Sequence, residues 1–274
     1  MSAIPGLQKK LKSVRATGKL SKAMKTVSAA KYAKLAALQS NYALYAEQYR
    51  FLYQDVRTDR SQPAQTVVIC GSNRGFCGGF NNDMIAYLKS SDIWNTAIPH
   101  LIVCGEEIIR LLTGHGFTPE KTFVFHDTPS FSECAPLFTY LEGLAGAETD
   151  YPVRIIRPMY KNTMTQTPGE EIMLINPSTY SNIAEERLLI PDKETVLREL
   201  TEKGLHALLY GAVLDTALGA QAATLMTMRS AYDTAREYAA ELEGEIHRQR
   251  QRDVTADVIE TASERGAKGD EDDE

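Results

Sequence analysis

The sequence predicts an α/β protein in which long helices from the two ends pair as an antiparallel coiled coil, beside a small Rossmann-like central α/β domain. Three observations carry this: a long proline-free stretch at each end, a heptad repeat in the first of them, and short β-type runs alternating with helical stretches between them.

The first stretch runs from Pro5 to Pro63 with only Gly6 and Gly18 inside it. Most of it can be helical and could reach ~80 Å. Within it Leu35, Leu38, Tyr42, Tyr45, Tyr49, Leu52 and Val56 follow a 3-4 spacing, the a/d repeat that keeps one seam facing a partner helix. An ordinary amphipathic core helix shares this spacing, so the partner decides between the two.

That partner is supplied by the other end. From Asp192 to Glu264 there is no proline, and only Gly204, Gly211, Gly219 and Gly244 interrupt good helix formers. Leu214, Leu218, Leu225, Tyr232, Ala235, Ala239, Leu242 and Ile246 mark the apolar stripe, with Ala222 and Met228 filling in. A helix approaching ~105 Å rarely stands alone in water, and its small residues permit close approach to the first.

In the middle, Thr66 to Cys70, Leu101 to Cys104 and Thr122 to Phe125 read as strands. Helical stretches near Asn82 to Lys89, Glu106 to Leu112 and Cys134 to Leu144 separate them, as in a mostly parallel sheet. Arg154 to Tyr160 and Glu171 to Asn176 read as a hairpin joined by a polar segment with Pro168-Gly169. The expected organisation is a coiled-coil helix over 1–60, a central domain over 61–191, a second coiled-coil helix over 192–264 and a disordered acidic tail over 265–274.

At 274 residues and 43% hydrophobic content, the chain can bury a core. No apolar run approaches the ~20 residues that span a bilayer, and Lys9, Lys10 and Lys12 interrupt any signal-like start. The expectation is a soluble protein with at most a peripheral membrane role. Cys70, Cys77, Cys104 and Cys134 lack zinc or CxxC spacing and read as buried, reduced thiols. The net charge of −6 hides an asymmetry: residues 1–46 hold nine Lys or Arg and no acid.

The run Cys70 to Asn81 (CGSNRGFCGGFN) follows a predicted strand and precedes a predicted helix, where phosphate loops sit. It lacks the lysine of a P-loop, and Gly71, Gly75 and Gly78 are spaced one residue too long for a dinucleotide turn. Arg74 could meet an anion, but no nucleophile or acid pair adjoins it, and a packed or partner-facing turn is the expectation. His100, His115, His126, His206 and His247 are scattered without metal-ligand spacing. The pairs Glu106-Glu107, Glu170-Glu171 and Glu185-Glu186 read as solvated charge, since sequence neighbours on a helix do not face each other. No cofactor, metal or catalytic residue is expected.

Three stretches together resemble the gamma subunit of the F-type rotary ATP synthase, over nearly the whole chain. Leu11 to Lys31 is similar to that family's first-helix signature, ending in Ala23-Met24-Lys25 and a small-residue run. The Gly71 to Asn81 loop is similar to its Ser-Asp-Arg-Gly-Leu-Cys-Gly-Gly-Phe-Asn turn. Gln221 to Ala231 and Arg250 to Thr255 resemble its final helix, whose tip occupies the bearing of the catalytic hexamer.

The resemblance implies a rotating central shaft, present once per complex, that couples ion flow to ATP synthesis or hydrolysis. Its implied partners are the alpha and beta subunits, an epsilon-type subunit and the membrane rotor ring, on the cytoplasmic face of a bacterial inner membrane. It implies that Arg250, Gln251 and Thr255 touch the loops of the catalytic subunits, with Met24 near the same level and Lys25 and Arg74 as further contacts. The lower end, around Tyr180 to Pro191 and Gly204 to Tyr210, would sit on the rotor ring and the epsilon-type subunit. The chain departs from the pattern at Asn73 for an aspartate, Gly219-Ala220 for a Ser-Glu pair, Thr234 for an asparagine and Ile246-His247 for a Tyr-Asn.

Two other classes compete. A nucleotide enzyme on the central domain would bind nucleotide through Arg74. A coiled-coil nucleic-acid-binding protein would use the basic first helix, but no aromatic platform interleaves with those charges and the acidic remainder repels phosphate. No nucleic acid partner is expected.

Overall fold

The computed structural model describes residues 4–53, 66–95, 98–146, 148, 151–160, 162, 164–175 and 190–269. Statements about side chains leave out residues 49–53, 95, 193, 194, 197, 200, 201 and 263–269. Its elements are α1 (Ile4–Tyr53), β1 (Thr66–Cys70), α2 (Phe80–Ser90), β2 (His100–Cys104), α3 (Glu106–Gly114), β3 (Lys121–Phe123), α4 (Ala135–Ala145), β4 (Tyr151–Tyr160), β5 (Gln166–Ile175) and α5 (Lys193–Gly269). Contacts divide the chain otherwise than by element type, into Met1–Lys25 with Met228–Glu274, and Thr26–Thr227.

In the first unit α1 and α5 run antiparallel. Arg15 Nη2 pairs with Glu243 Oε1 at 2.5 Å, the Lys25 ammonium lies 5.1 Å from the Tyr232 ring centroid, and a Cβ on Gly18 would meet that of Ala235 at 3.4 Å. The covered positions of α1 here include Leu7, Leu11, Val14, Gly18, Ser21 and Lys25 along one line; those of α5 include Met228, Tyr232, Ala235, Ala239, Leu242, Ile246 and Gln249. Both sets follow the 3-4 spacing of a coiled-coil seam.

In the second unit the α1 seam continues as Ser28, Tyr32, Leu35, Gln39, Tyr42 and Ala46. This corrects the predicted register. Leu35 is fully buried and Tyr42 packs edge-on against Tyr210 at 4.8 Å, but Leu38 and Tyr45 are 39% and 47% exposed. Residue 38 lies about 60° to one side of Leu35 around the helix and Gln39 about 40° to the other, and the partner selects the second side. There α5 comes close: a Cβ on Gly211 would stand 3.5 Å from Tyr42 Cε1, and Gln39 Nε2 donates to Asp215 Oδ1 at 3.3 Å. The side chains of Tyr49 and Leu52 are not among those described, and Val56 lies outside the described residues.

The sheet has the order β3-β2-β1-β4-β5, with β1 to β4 parallel and β5 antiparallel to β4. Alternate residues face opposite layers. Val68, Cys70, Ile102, Cys104, Val153 and Ile155 pack with α4, α5 and Leu35; Val67, Ile69, Leu101, Val103 and Ile156 pack with α2 and α3. Burial on both faces explains why these strands read as unbroken apolar runs.

The hairpin is longer than predicted. Pro168 and Gly169 lie inside β5, opposite Pro158 and Arg157, and the strands extend to Tyr160 and Gln166, beyond which Asn162 Oδ1 accepts the Met164 and Thr165 amides at 2.9 and 2.8 Å. An edge strand tolerates proline because its outer face needs no ladder donor. The acidic tail expected from 265 is helical as far as Gly269, since no proline or cap stops α5 earlier; residues 270–274 lie outside the described residues.

Among the described residues α5 is the one helix long and apolar enough to cross a membrane, with an 18-residue window of mean hydropathy 1.2, of which 56% is buried. Leu205, Leu208, Leu209, Val213, Leu214 and Leu218 account for that content as sheet-facing core.

Candidate functional site

The glycine loop after β1 is folded by its own polar groups. Asn81, buried at the start of α2, accepts the Ser72 amide on Oδ1 at 3.1 Å and donates from Nδ2 to Ser72 Oγ at 2.7 Å. Ser72 Oγ in turn donates to the Arg74 carbonyl at 2.8 Å, and the Gly71 amide donates to the Cys104 carbonyl at 2.9 Å. The first amides of α3 are likewise engaged: Glu107 donates to the Ser72 carbonyl at 3.1 Å and Glu106 to Asn73 Oδ1 at 3.4 Å. A phosphate cradle requires such amides to face open space. Here they hold the loop together.

Close approach accounts for the glycines. A Cβ on Gly71 would lie 2.4 Å from Ile108 Cβ, while Gly78, at φ 58°, would bring one to 2.9 Å from Thr227 Oγ1 on α5. Asn73, where the resembled pattern has aspartate, donates Nδ2 to the Phe125 carbonyl at 2.5 Å, a bond a carboxylate cannot make. Gly219 sits at a close approach: a Cβ there would meet Phe80 Cε2 at 3.0 Å and Gln166 Cγ at 3.3 Å, so a larger residue requires those side chains to shift. Nothing in the structure explains Thr234.

The loop presents two side chains outward. Arg74 is 75% exposed, with Nη2 3.3 Å from Asp127 Oδ2; that carboxylate also takes Lys31 Nζ of α1 at 2.5 Å. Phe76 is 69% exposed at φ 62°, a conformation rare for a bulky residue. Sequence reasoning passed over Phe76 and Asp127; an aromatic between Gly75 and Gly78 in a polar turn was the available signal for the first.

In the other unit, Arg250, Gln251 and Thr255 are exposed on α5, the Thr255 hydroxyl donating to the Gln251 carbonyl at 2.8 Å. Met24 and Lys25 are half-buried on α1. The expectation that Met24 stands near the level of Arg250 does not hold. Its neighbour Lys25 faces Tyr232, whereas Gly6, Leu7 and Lys10 line a groove with Glu245, Arg248, Gln249 and Arg252. The two levels are ~27 Å apart along the helix, because an antiparallel pair matches the start of one helix with the end of the other. His247 is exposed beside the buried seam residue Ile246, so these departures change one outward and one inward position.

The remaining sequence candidates are structural. His206 stacks on Phe138 at 4.4 Å and meets Glu142 at 2.7 Å, His100 meets Glu120 at 2.7 Å, and Glu107 binds Arg110 at 2.6 Å. Glu171 is not merely solvated; it is 3.4 Å from buried Arg157. Glu185 and Glu186 lie outside the described residues. Burial pushes the Cys77 thiol up and the Cys134 thiol up to about 12; the Cys70 hydrogen bond, then burial, push Cys104 well up.

Comparison with known proteins gives one family. The family model described as ATP synthase matches residues 4–267. Among curated relatives, the ATP synthase gamma chain of Polynucleobacter asymbioticus is 24% identical over 95% of this chain and 97% of its own, and that of Lactococcus lactis subsp. lactis is 25% identical over 93% and 95%. Among solved structures, a chain of the Euglena gracilis mitochondrial ATP synthase aligns with a TM-score of 0.77 at 17% identity, covering 99% of this chain and 96% of that one. A chain of the Tetrahymena thermophila mitochondrial ATP synthase central stalk and c-ring aligns at 0.61, covering 77% and 99%. At these identities the structures establish likeness of fold.

Proposed function

This chain belongs to the ATP synthase family, and on that premise we propose that it is the gamma subunit of an F-type ATP synthase, the rotating central shaft that couples ion flow across a membrane to ATP synthesis or hydrolysis. The observation that carries the reading is the heptad seam along α1, which joins it to α5 in antiparallel register beside a loop that turns Arg74 and Phe76 outward.

The work is mechanical. A two-helix shaft without threefold symmetry presses differently on three chemically equivalent catalytic subunits, so each is held in a state of different nucleotide affinity. Turning the shaft moves the differential contacts from one subunit to the next and interconverts those states. Lys9, Lys10, Lys12, Lys19 and Lys22 are exposed around α1 and supply positive charge that acidic loops of the surrounding alpha and beta subunits would meet. Within the first unit Arg250, Gln251 and Thr255 form one contact level and Met24 with Lys25 another; in the second unit Arg74 and Phe76 are the contact residues of the loop.

The chain itself carries no catalytic group in this reading: in its phosphate-like loop the Gly71 amide is bonded to the Cys104 carbonyl and the Ser72 amide to Asn81. It works as a single copy with an epsilon-type subunit and the membrane rotor ring at the lower end, peripherally on the cytoplasmic face of a bacterial inner membrane. The test is affinity purification of the tagged chain from its own cells. Recovery of a hexamer of nucleotide-binding subunits, with no ATPase activity in the isolated chain, is expected; failure to recover such a hexamer overturns the reading.

A further inference from the structure

Arg157 is the one arginine of the sheet that is almost wholly buried, at 3% exposure, in the middle of β4. Its Nη1 donates to Asp215 Oδ2 of α5 at 2.6 Å and its Nη2 reaches Glu171 Oε2 of β5 at 3.4 Å. The other oxygen of the same Asp215 carboxylate accepts Gln39 Nε2 of α1 at 3.3 Å. One carboxylate on α5 is thus tied to the sheet through one oxygen and to α1 through the other.

Stability alone does not account for this arrangement. Taking an arginine and a carboxylate largely out of water carries a desolvation cost that their attraction can fail to offset, and apolar replacements of both partners are often neutral. Arg157 Nε is moreover buried without a hydrogen-bond partner. The surrounding contact between the sheet and α5 is apolar, from Val153, Ile155, Leu209 and Val213 among others. Apolar contact opposes separation but is non-directional, so it does not by itself single out one register of the helix on the sheet. A two-armed guanidinium pair is directional.

We propose that Arg157, through Asp215 and Gln39, is the joint that carries torque between the sheet and the two shaft helices. The proposal rests on the shaft reading given above and assigns Arg157 and Asp215 as positioning residues, acting through the seam rather than on nucleotide. Under no load the apolar contact suffices to turn the shaft together with the sheet. Under an opposing ion gradient the joint bears the shear.

The experiment uses the complete ATP synthase in sealed inverted vesicles. ATP hydrolysis and ATP-driven uptake of H⁺ and Na⁺ are followed as the opposing gradient is raised. For Arg157→Met with Asp215→Leu, the expected result is near-normal hydrolysis and near-normal uptake per ATP without a gradient, with uptake per ATP falling at least twofold under the steepest gradient. A loss that serves only folding would lower assembly or hydrolysis at every load instead. Arg157→Lys, which keeps the charge but not the fork, is the second variant, expected to lie between; if the double variant does not assemble, this variant decides. Wild-type load curves in the assembled variants overturn the joint while leaving the shaft reading intact. Failure of the unaltered chain to assemble and pump overturns both.

Discussion

Gly78 faces Thr227 across the loop and α5 so closely that a Cβ would stand 2.9 Å from the Thr227 hydroxyl oxygen. Its φ of 58° adds a second constraint, since an L side chain there is strained. The loop is therefore docked on α5 through a position that admits no side chain. Gly78→Ala is expected to lower the unfolding free energy by about 1–3 kcal/mol, from backbone strain and overpacking together. Urea denaturation of the purified chain measures it, and an unchanged midpoint contradicts the packing described.

The same substitution should have the opposite sign at Gly143. This residue is exposed inside α4, and a Cβ there meets nothing within 4 Å. Gly143→Ala is expected to stabilise by about 0.5–1 kcal/mol through helix propensity alone. A fall in the thermal midpoint would show that α4 needs the glycine for a contact it does not make here.

Asp127 holds two cations from different segments, Lys31 of α1 and Arg74 of the loop. Its carboxylate is only 14% exposed, so solvent replaces it poorly. Asp127→Asn is expected to cost about 1–2 kcal/mol, with most of the loss through half-buried Lys31. A double-mutant cycle with Lys31→Met tests this: additive losses would mean that the pair contributes nothing.

The thiols should govern alkaline behaviour. Burial raises the folded-state value of Cys134 to about 12 from an ordinary 9.0. Below pH 9 the folded and unfolded chains bind this proton equally. Between 9 and 12 only the unfolded chain loses it, so stability falls as pH rises through that window. Cys77 and Cys104, raised as well, act in the same direction. At pH 8 the native chain should react with a thiol reagent far more slowly than in urea, where all four cysteines are accessible. Rapid labelling of the native form would contradict the burial.

Arg250→Ala and Gln251→Ala should leave the fold intact, as both side chains are exposed. In the assembled complex they are expected to weaken the coupling of hydrolysis to ion uptake severalfold. Torque and ATP synthesis at wild-type levels in both variants would remove them from the contact surface.

Much of this was legible in the chain because it depends on local periodicity. Proline-free length and apolar spacing announced α1 and α5, and alternation of short apolar runs with helical stretches announced the sheet. From sequence alone the β4–β5 hairpin reads short, because Pro168 and Gly169 are turn residues in isolation. Only pairing with Pro158 and Arg157 makes them strand. Asp127, Arg157 and Asp215 carried no local signal at all, since each acquires its role from a partner at least 14 residues away.

The sequence by itself determined that two long helices exist, that a small α/β domain lies between them, and which family they resemble. Those are consequences of propensity and pattern, which act over a few residues. The tertiary structure alone decided which face of α1 becomes the seam. Two faces a few tens of degrees apart both begin at Leu35, and the more apolar one, through Leu38 and Tyr45, lost to Gln39 and Ala46. Close approach of α5 rewards small residues and a hydrogen bond to Asp215 over bulk, and a single helix holds no information about how near its partner will come.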